Sequence, residues 1–347
     1  MSDPAACRRF RRFAAMTVTT IYLLILVGGI VRATGSGMGC PDWPTCFGRW
    51  IPPTSEAELP ADYQAVYADR GYAETRFNVA KTWTEYLNRL LGVLTGFAIL
   101  ATLLAAWPLR RQDRQITILS ALAFVLVGVQ GWLGSRVVAS NLDPGMITLH
   151  MLLAQLIVAL VILALMRSWR SLITTQDVSG LPRMVRPLLL IAMAAGLVQL
   201  VMGTQVREAV DLIAKQSDYV NRHLWIDNLP LIFATHKWYA LPLFVLNLWV
   251  VFEIFRFSRA PLPRVLGIIL LVLMSGTITI GMGMERLHLP IFAQPLHLWF
   301  GSLIFGVQFA LWYCVRSAAS RAERTTDQPP GRPDSVSDKR PKAMNPA

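Results

Sequence analysis

Charge is scarce in this chain. Asp, Glu, Lys and Arg make up 16% of the 347 residues, while apolar residues make up 54%. Soluble domains carry roughly 25% charge, so an ordinary water-soluble fold is a poor description. Histidine is scarcer still, at five residues, and cysteine numbers four. With so few, their placement carries information. No histidine lies near Cys40 or Cys46 in sequence, which argues against a zinc site there.

What the chain has in quantity is long apolar runs. A helix of about 20 apolar residues spans the roughly 30 Å hydrocarbon core of a bilayer. Eight such runs lie near 13–33, 86–108, 115–138, 146–167, 185–206, 232–255, 264–284 and 295–316. The first is too long for a signal-peptide core, and Ala33–Gly39 is a poor cleavage site. The expected fold is an all-α membrane protein with eight transmembrane helices.

The formal charge of +12 would suggest nucleic acid if it were clustered on one surface. Its distribution instead follows the membrane. With the N-terminus inside, the inner segments carry 21 basic and 8 acidic residues, and the outer ones 12 and 13. That is the positive-inside pattern. It predicts a multi-pass protein of a bacterial inner membrane, both termini cytoplasmic, with lipid rather than nucleic acid as its surroundings.

The expected organisation is a cytoplasmic N-terminus (1–12), a first four-helix half (13–167), a second (185–316) and a disordered tail (317–347). Two long outer segments, 34–84 and 207–231, interrupt the short loops; loops of such length are commonly functional. The halves read as a repeat. Helix 1 ends Gly28-Gly29-Ile30-Val31-Arg32, and helix 5 ends Gly203-Thr204-Gln205-Val206-Arg207. His150 opens helix 4 and His297 opens helix 8. Counting back 61 residues from His297 reaches His236, and 62 from His150 reaches Asn88. Four helices per unit make the repeat parallel, so two pseudo-symmetric four-helix bundles are expected.

Ionisable residues inside a span are costly and mark functional positions. His150, His236 and His297 all lie near the outer ends of even-numbered helices. Two facing imidazoles in a bundle hold heme iron well, and His236 with His297 suits this. The plainer reading is three polar helix starts hydrogen-bonded at the interface. Glu85 lies three residues before Asn88 on the same helix face. It is either a proton-handling carboxylate or an ordinary acidic helix start. Arg32, Arg89, Arg136 and Arg207 stand at outer helix ends, suited to heme propionates or to plain snorkelling. Trp83, Trp132, Trp238 and Trp299 fit an aromatic belt, and Met282 and Met284 fit packing. Cys7 and Cys314 read as free thiols. Cys40 and Cys46, in an outer loop, are either a disulfide or two thiols.

At these residues the chain resembles the heme A synthase family. The resemblance is carried by Gly28-Gly29-Ile30-Val31-Arg32-Ala33-Thr34-Gly35-Ser36-Gly37 and Gly39-Cys40-Pro41-Asp42-Trp43-Pro44. It continues in Glu85-Tyr86-Leu87-Asn88-Arg89, Thr148-Leu149-His150, Thr235-His236-Lys237 and Pro295-Leu296-His297. It implies oxidation of the C8 methyl of heme O to the formyl of heme A, for terminal oxidase biogenesis. It implies heme b held by His236 and His297, and substrate heme O at His150. It implies catalytic assistance by Glu85 and a redox-associated Cys40/Cys46 pair. A heme O synthase and an electron acceptor are the implied partners, and a homo-oligomer is compatible with the sequence. The family pattern has His where this chain has Asn88, so one ligand to the substrate heme is missing. Competing readings are a b-type cytochrome that only transfers electrons, or a non-enzymatic heme carrier.

Overall fold

The computed structural model describes residues 4–73, 76–178, 180–217 and 220–326. Eight helices in it are long and apolar enough to cross a membrane. They are α1 (Pro4–Ala33), α2 (Val79–Ala106), α3 (Arg114–Ala139) and α4 (Pro144–Ser168). The second four are α5 (Val185–Gln216), α6 (Leu231–Phe257), α7 (Pro261–Arg286) and α8 (Ala293–Thr326). Among the described residues the only β feature is an isolated bridge between Cys46 and Arg49. The chain is a multi-pass membrane protein. Long apolar side chains such as Val93, Leu94, Phe97 and Val272 stay exposed on the bundle. Such a surface suits lipid rather than water.

Helix starts follow local chemistry. Asn78 accepts from the Lys81 N–H at 3.0 Å, Asp113 from Gln115 at 3.0 Å, and Asp143 from Met146 at 2.9 Å. Each cap satisfies an N–H that a helix end leaves orphaned.

Helix ends differ from the apolar runs in four places. α1 begins at Pro4, not near 13. Its basic first turns are helical because Ala6, Phe10 and Ala14 are buried against Ala105, Ala106 and Leu109. α2 starts at Val79, seven residues early, where Asn78 caps it. α5 continues to Gln216, so the start of the expected 207–231 loop is helix. There Val210 and Ala214 pack on Trp225 and Leu289. α8 continues to Thr326, so the expected tail begins as helix; 327–347 lies outside the described residues.

Neighbour relations place the site. α1 packs on α2, α2 on α3, α3 on α4, and α4 back on α1. In the same order α5 packs on α6, α6 on α7, α7 on α8, and α8 back on α5. The two rings meet where α1 packs on α8, α4 on α8, and α4 on α5. Without a hydrophobic drive between helices in lipid, close fit and polar ties hold such contacts. The seam has both. Gln155 donates to the Ser302 hydroxyl at 2.8 Å, and Thr148 meets Thr204 at 2.9 Å. The Trp299 indole donates to the Tyr22 carbonyl at 2.9 Å. Gly29 lies against Pro295, where an added Cβ would come within 3.0 Å of a side-chain carbon.

Candidate heme-binding site

His236 on α6 and His297 on α8 lie side by side inside the second ring, with ring centroids 6.2 Å apart and planes inclined at 66°. Two imidazoles that each place a nitrogen roughly 2 Å from one metal have centroids about 6 Å apart. The spacing of the two rings is thus that of two imidazoles sharing one metal. His297 Nδ1 lies 3.1 Å from the Thr277 carbonyl. A proton on that nitrogen leaves Nε2 as the lone-pair donor, the arrangement metal-bound histidines adopt. His236 Nδ1 is buried without a hydrogen-bond partner. In its donors this pair fits heme.

The glycines behind the rings set where they stand. A Cβ at Gly203 would lie 3.2 Å from the His236 ring, and one at Gly281 would lie 3.2 Å from the His297 ring. His150 on α4 is held the same way by Gly134, at 3.4 Å, and its Nδ1 is likewise buried and unpartnered. Gln130 donates to the His150 carbonyl at 3.0 Å, and Gln199 to the His236 carbonyl at 2.9 Å. Asn88 on α2 stands opposite Gly28, with its Oδ1 buried and unpartnered.

Gln130, Gly134, Gln199, Thr277 and Gly281 are absent from the sequence reading, and Gly203 enters it only as part of the repeat motif. One signal was available: a glutamine four residues before a glycine occurs on both α3 and α5.

The described residues between α1 and α2, 34–73 and 76–78, form a cap on α2. Cys40 and Cys46 are joined in a disulfide and fully buried beneath Phe47, Tyr63 and Tyr72. Asp42 organises the turn, accepting from Phe47 N at 2.6 Å and Gly48 N at 2.9 Å. Gly39 lies directly on the α2 backbone. An added Cβ would be 2.5 Å from the Lys81 carbonyl oxygen, so only glycine fits. Burial, with the charge of Glu85 adding to it, raises the Tyr72 phenol well above its usual range. It stays protonated and donates to the Met38 carbonyl at 2.6 Å.

Glu85 is buried under this cap. One carboxylate oxygen accepts from Cys40 N at 2.8 Å; the other pairs with Arg89, whose Nε lies at 3.1 Å. Arg89 also donates to the carbonyls of Asp42 at 2.6 Å, Thr45 at 2.9 Å and Cys40 at 3.2 Å. Both side chains are thus joined to the disulfide loop. Arg32 and Arg207 converge on one carboxylate, Asp211, at 3.4 and 2.6 Å. Arg207 further bonds Gln294 on α8. Met282 is exposed, and Met284 packs against the Trp225 cluster. Trp132 and Trp238 are exposed on the bundle surface.

Residues 11–309 match the COX15-CtaA family model, described as cytochrome oxidase assembly protein. The heme A synthase of Shewanella oneidensis is 25% identical over 214 residues, 62% of this chain and 62% of that protein. That of Methylobacterium sp. (strain 4-46) is 34% identical over 155 residues, 42% of each chain. That of Alkalihalophilus pseudofirmus is 27% identical over 157 residues, 45% of each. The matched stretches cover less than two thirds of these relatives' length. The family match covers most of the chain, including all three bundle histidines, and the chain belongs to the COX15-CtaA family of cytochrome oxidase assembly proteins.

Proposed function

We propose that this protein is a heme A synthase-type oxidoreductase. It converts the C8 methyl of heme O to the formyl of heme A, for assembly of terminal oxidases. The observation that carries the reading is the His236–His297 pair, spaced for one iron in one ring of helices. A second histidine, His150, stands in the other ring on the same kind of glycine support. The identical neighbour order of the two rings supports a pseudo-symmetric pair of four-helix halves, 13–167 and 185–316. Heme b belongs in the second half and substrate heme O in the first.

Heme supplies the redox chemistry once bound. The protein supplies position and proton handling. His150 orients the substrate. Glu85 holds or releases a proton at its carboxylate, beside the buried Cys40–Cys46 loop to which it is bonded. Arg32 and Arg207 offer guanidinium donors to propionates, in exchange for their shared carboxylate Asp211. Arg89 reaches a propionate only by releasing loop carbonyls. The membrane is a bacterial inner membrane with both termini cytoplasmic, as the basic inner segments favour. An electron acceptor and an enzyme that makes heme O complete the reaction scheme.

The test is heme extraction from membranes that hold this protein beside a heme O source, resolved by chromatography and mass. Heme A or its hydroxylated intermediate is expected only when the protein is present. Unchanged heme O with co-purifying heme b would replace the reading by a b-type cytochrome. Glu85→Gln is expected to leave heme b bound and abolish formyl formation.

A further inference from the structure

We infer that the first-half site binds heme iron through His150 alone and leaves the iron face toward Asn88 open to a small exogenous ligand. This rests on the reading that the first half is a heme site.

The argument is internal to the chain. His150 and His297 occupy matching places: each is near the start of the last helix of its ring, backed by a glycine of the helix before. Asn88 and His236 occupy the other pair of matching places, on α2 and α6, backed by Gly28 and Gly203. In the second ring this slot holds an imidazole, whose centroid lies 6.2 Å from that of His297. In the first ring it holds a side chain that ends one ring short.

The backing glycine does not refill that space. A Cβ at Gly203 would press on the imidazole at 3.2 Å, whereas one at Gly28 would meet only Asn88 Oδ1, at 3.9 Å. A carboxamide is a weak iron donor beside imidazole. Asn88 Oδ1 is buried without a partner, so the amide keeps hydrogen-bonding capacity at this position. That free acceptor suits a ligand that carries a proton, such as water. With heme bound, the second half would offer two imidazole donors, His236 and His297, and the first half one, His150.

The full-length protein in detergent, titrated with hemin, gives heme per chain and spectra for wild type, Asn88→His, Asn88→Ala and His150→Ala. The expected wild type binds two hemes, one of them high-spin when oxidised and able to bind carbon monoxide when reduced. Asn88→His converts that heme to low-spin and removes carbon monoxide binding, while Asn88→Ala retains it. Free imidazole added to wild type produces the same low-spin conversion, so the result does not depend on one variant folding. Two hemes that are both low-spin and silent to carbon monoxide would overturn the inference and leave the heme-site reading standing. One heme per chain, unaffected by His150→Ala, would remove the first-half heme site itself.

Discussion

A glycine behind each imidazole is a demanding arrangement, because a methyl group there would be tight against the ring. Gly203→Ala and Gly281→Ala are expected to displace the His236 or His297 ring by a few tenths of an ångström. Overpacking of this kind costs about 1–3 kcal/mol. Weaker heme retention and a shifted low-spin spectrum on the purified protein are the readout. Gly283→Ala, on the same helix with nothing within 4 Å, is the control and should leave both unchanged. The histidines themselves were legible in the sequence, because five in an apolar chain of this length stand out and three fall at repeat-related helix starts. Their supports were not. Gln130 and Gln199 look like stray polar residues until the carbonyls they bind are known. Asp211 pairs with Arg207 one helical turn away, but its link to Arg32, 179 residues away, is invisible in sequence.

At the scale of elements, hydropathy locates the membrane-crossing portion of each helix but not its ends. Backbone hydrogen bonding does not stop at a membrane boundary; it stops where caps and packing let it. Hence Pro4 and Gln216 were not visible as ends, whereas the Asp143-Pro144 start of α4 was close to its run. The Cys40/Cys46 pairing was left open by sequence, and the fold of the cap closes it. Asp113 serves two elements at once: it caps α3 and forms a two-oxygen ion pair with Arg167 at the end of α4, at 2.8–3.0 Å. Asp113→Ala is expected to lower the thermal unfolding midpoint, with a loss of about 1–3 kcal/mol from the charged hydrogen bonds. In the cap, hydrogen bonds from the Thr54 hydroxyl and N–H, with Arg49 assisting, push exposed Glu58 down to about 2. A depressed carboxylate stabilises the cap above its ordinary range and loses that contribution as pH falls toward 2. Limited proteolysis of the cap should therefore rise below about pH 4, and Glu58→Gln should flatten that dependence.

The whole molecule depends on polar groups paired across its interior. Gln308 on α8 donates to Asn247 on α6 at 2.7 Å, with both residues buried. Asn247→Leu is expected to cost about 0.6–1.7 kcal/mol, the range for such pairs in membranes. Adding Gln308→Leu should cost less than the sum of the two, because the second change removes an already orphaned group. Unfolding in a detergent series reads both. The eight-helix plan was legible from apolar runs and charge. The seam was not, since Gln155 and Ser302 are 147 residues apart and neither looks unusual alone.

That seam also sets a schedule for synthesis. Tyr22, on the first helix, receives the Trp299 indole from the last, 277 residues later. At roughly 5–20 residues per second, α1 waits on the order of tens of seconds in the membrane for this partner. During that interval α4 carries Gln155 with its α8 acceptor not yet made. A chain cut short before α8 therefore leaves an unpaired polar face in lipid, a visible mark for the proteases and chaperones that sort unfinished membrane proteins.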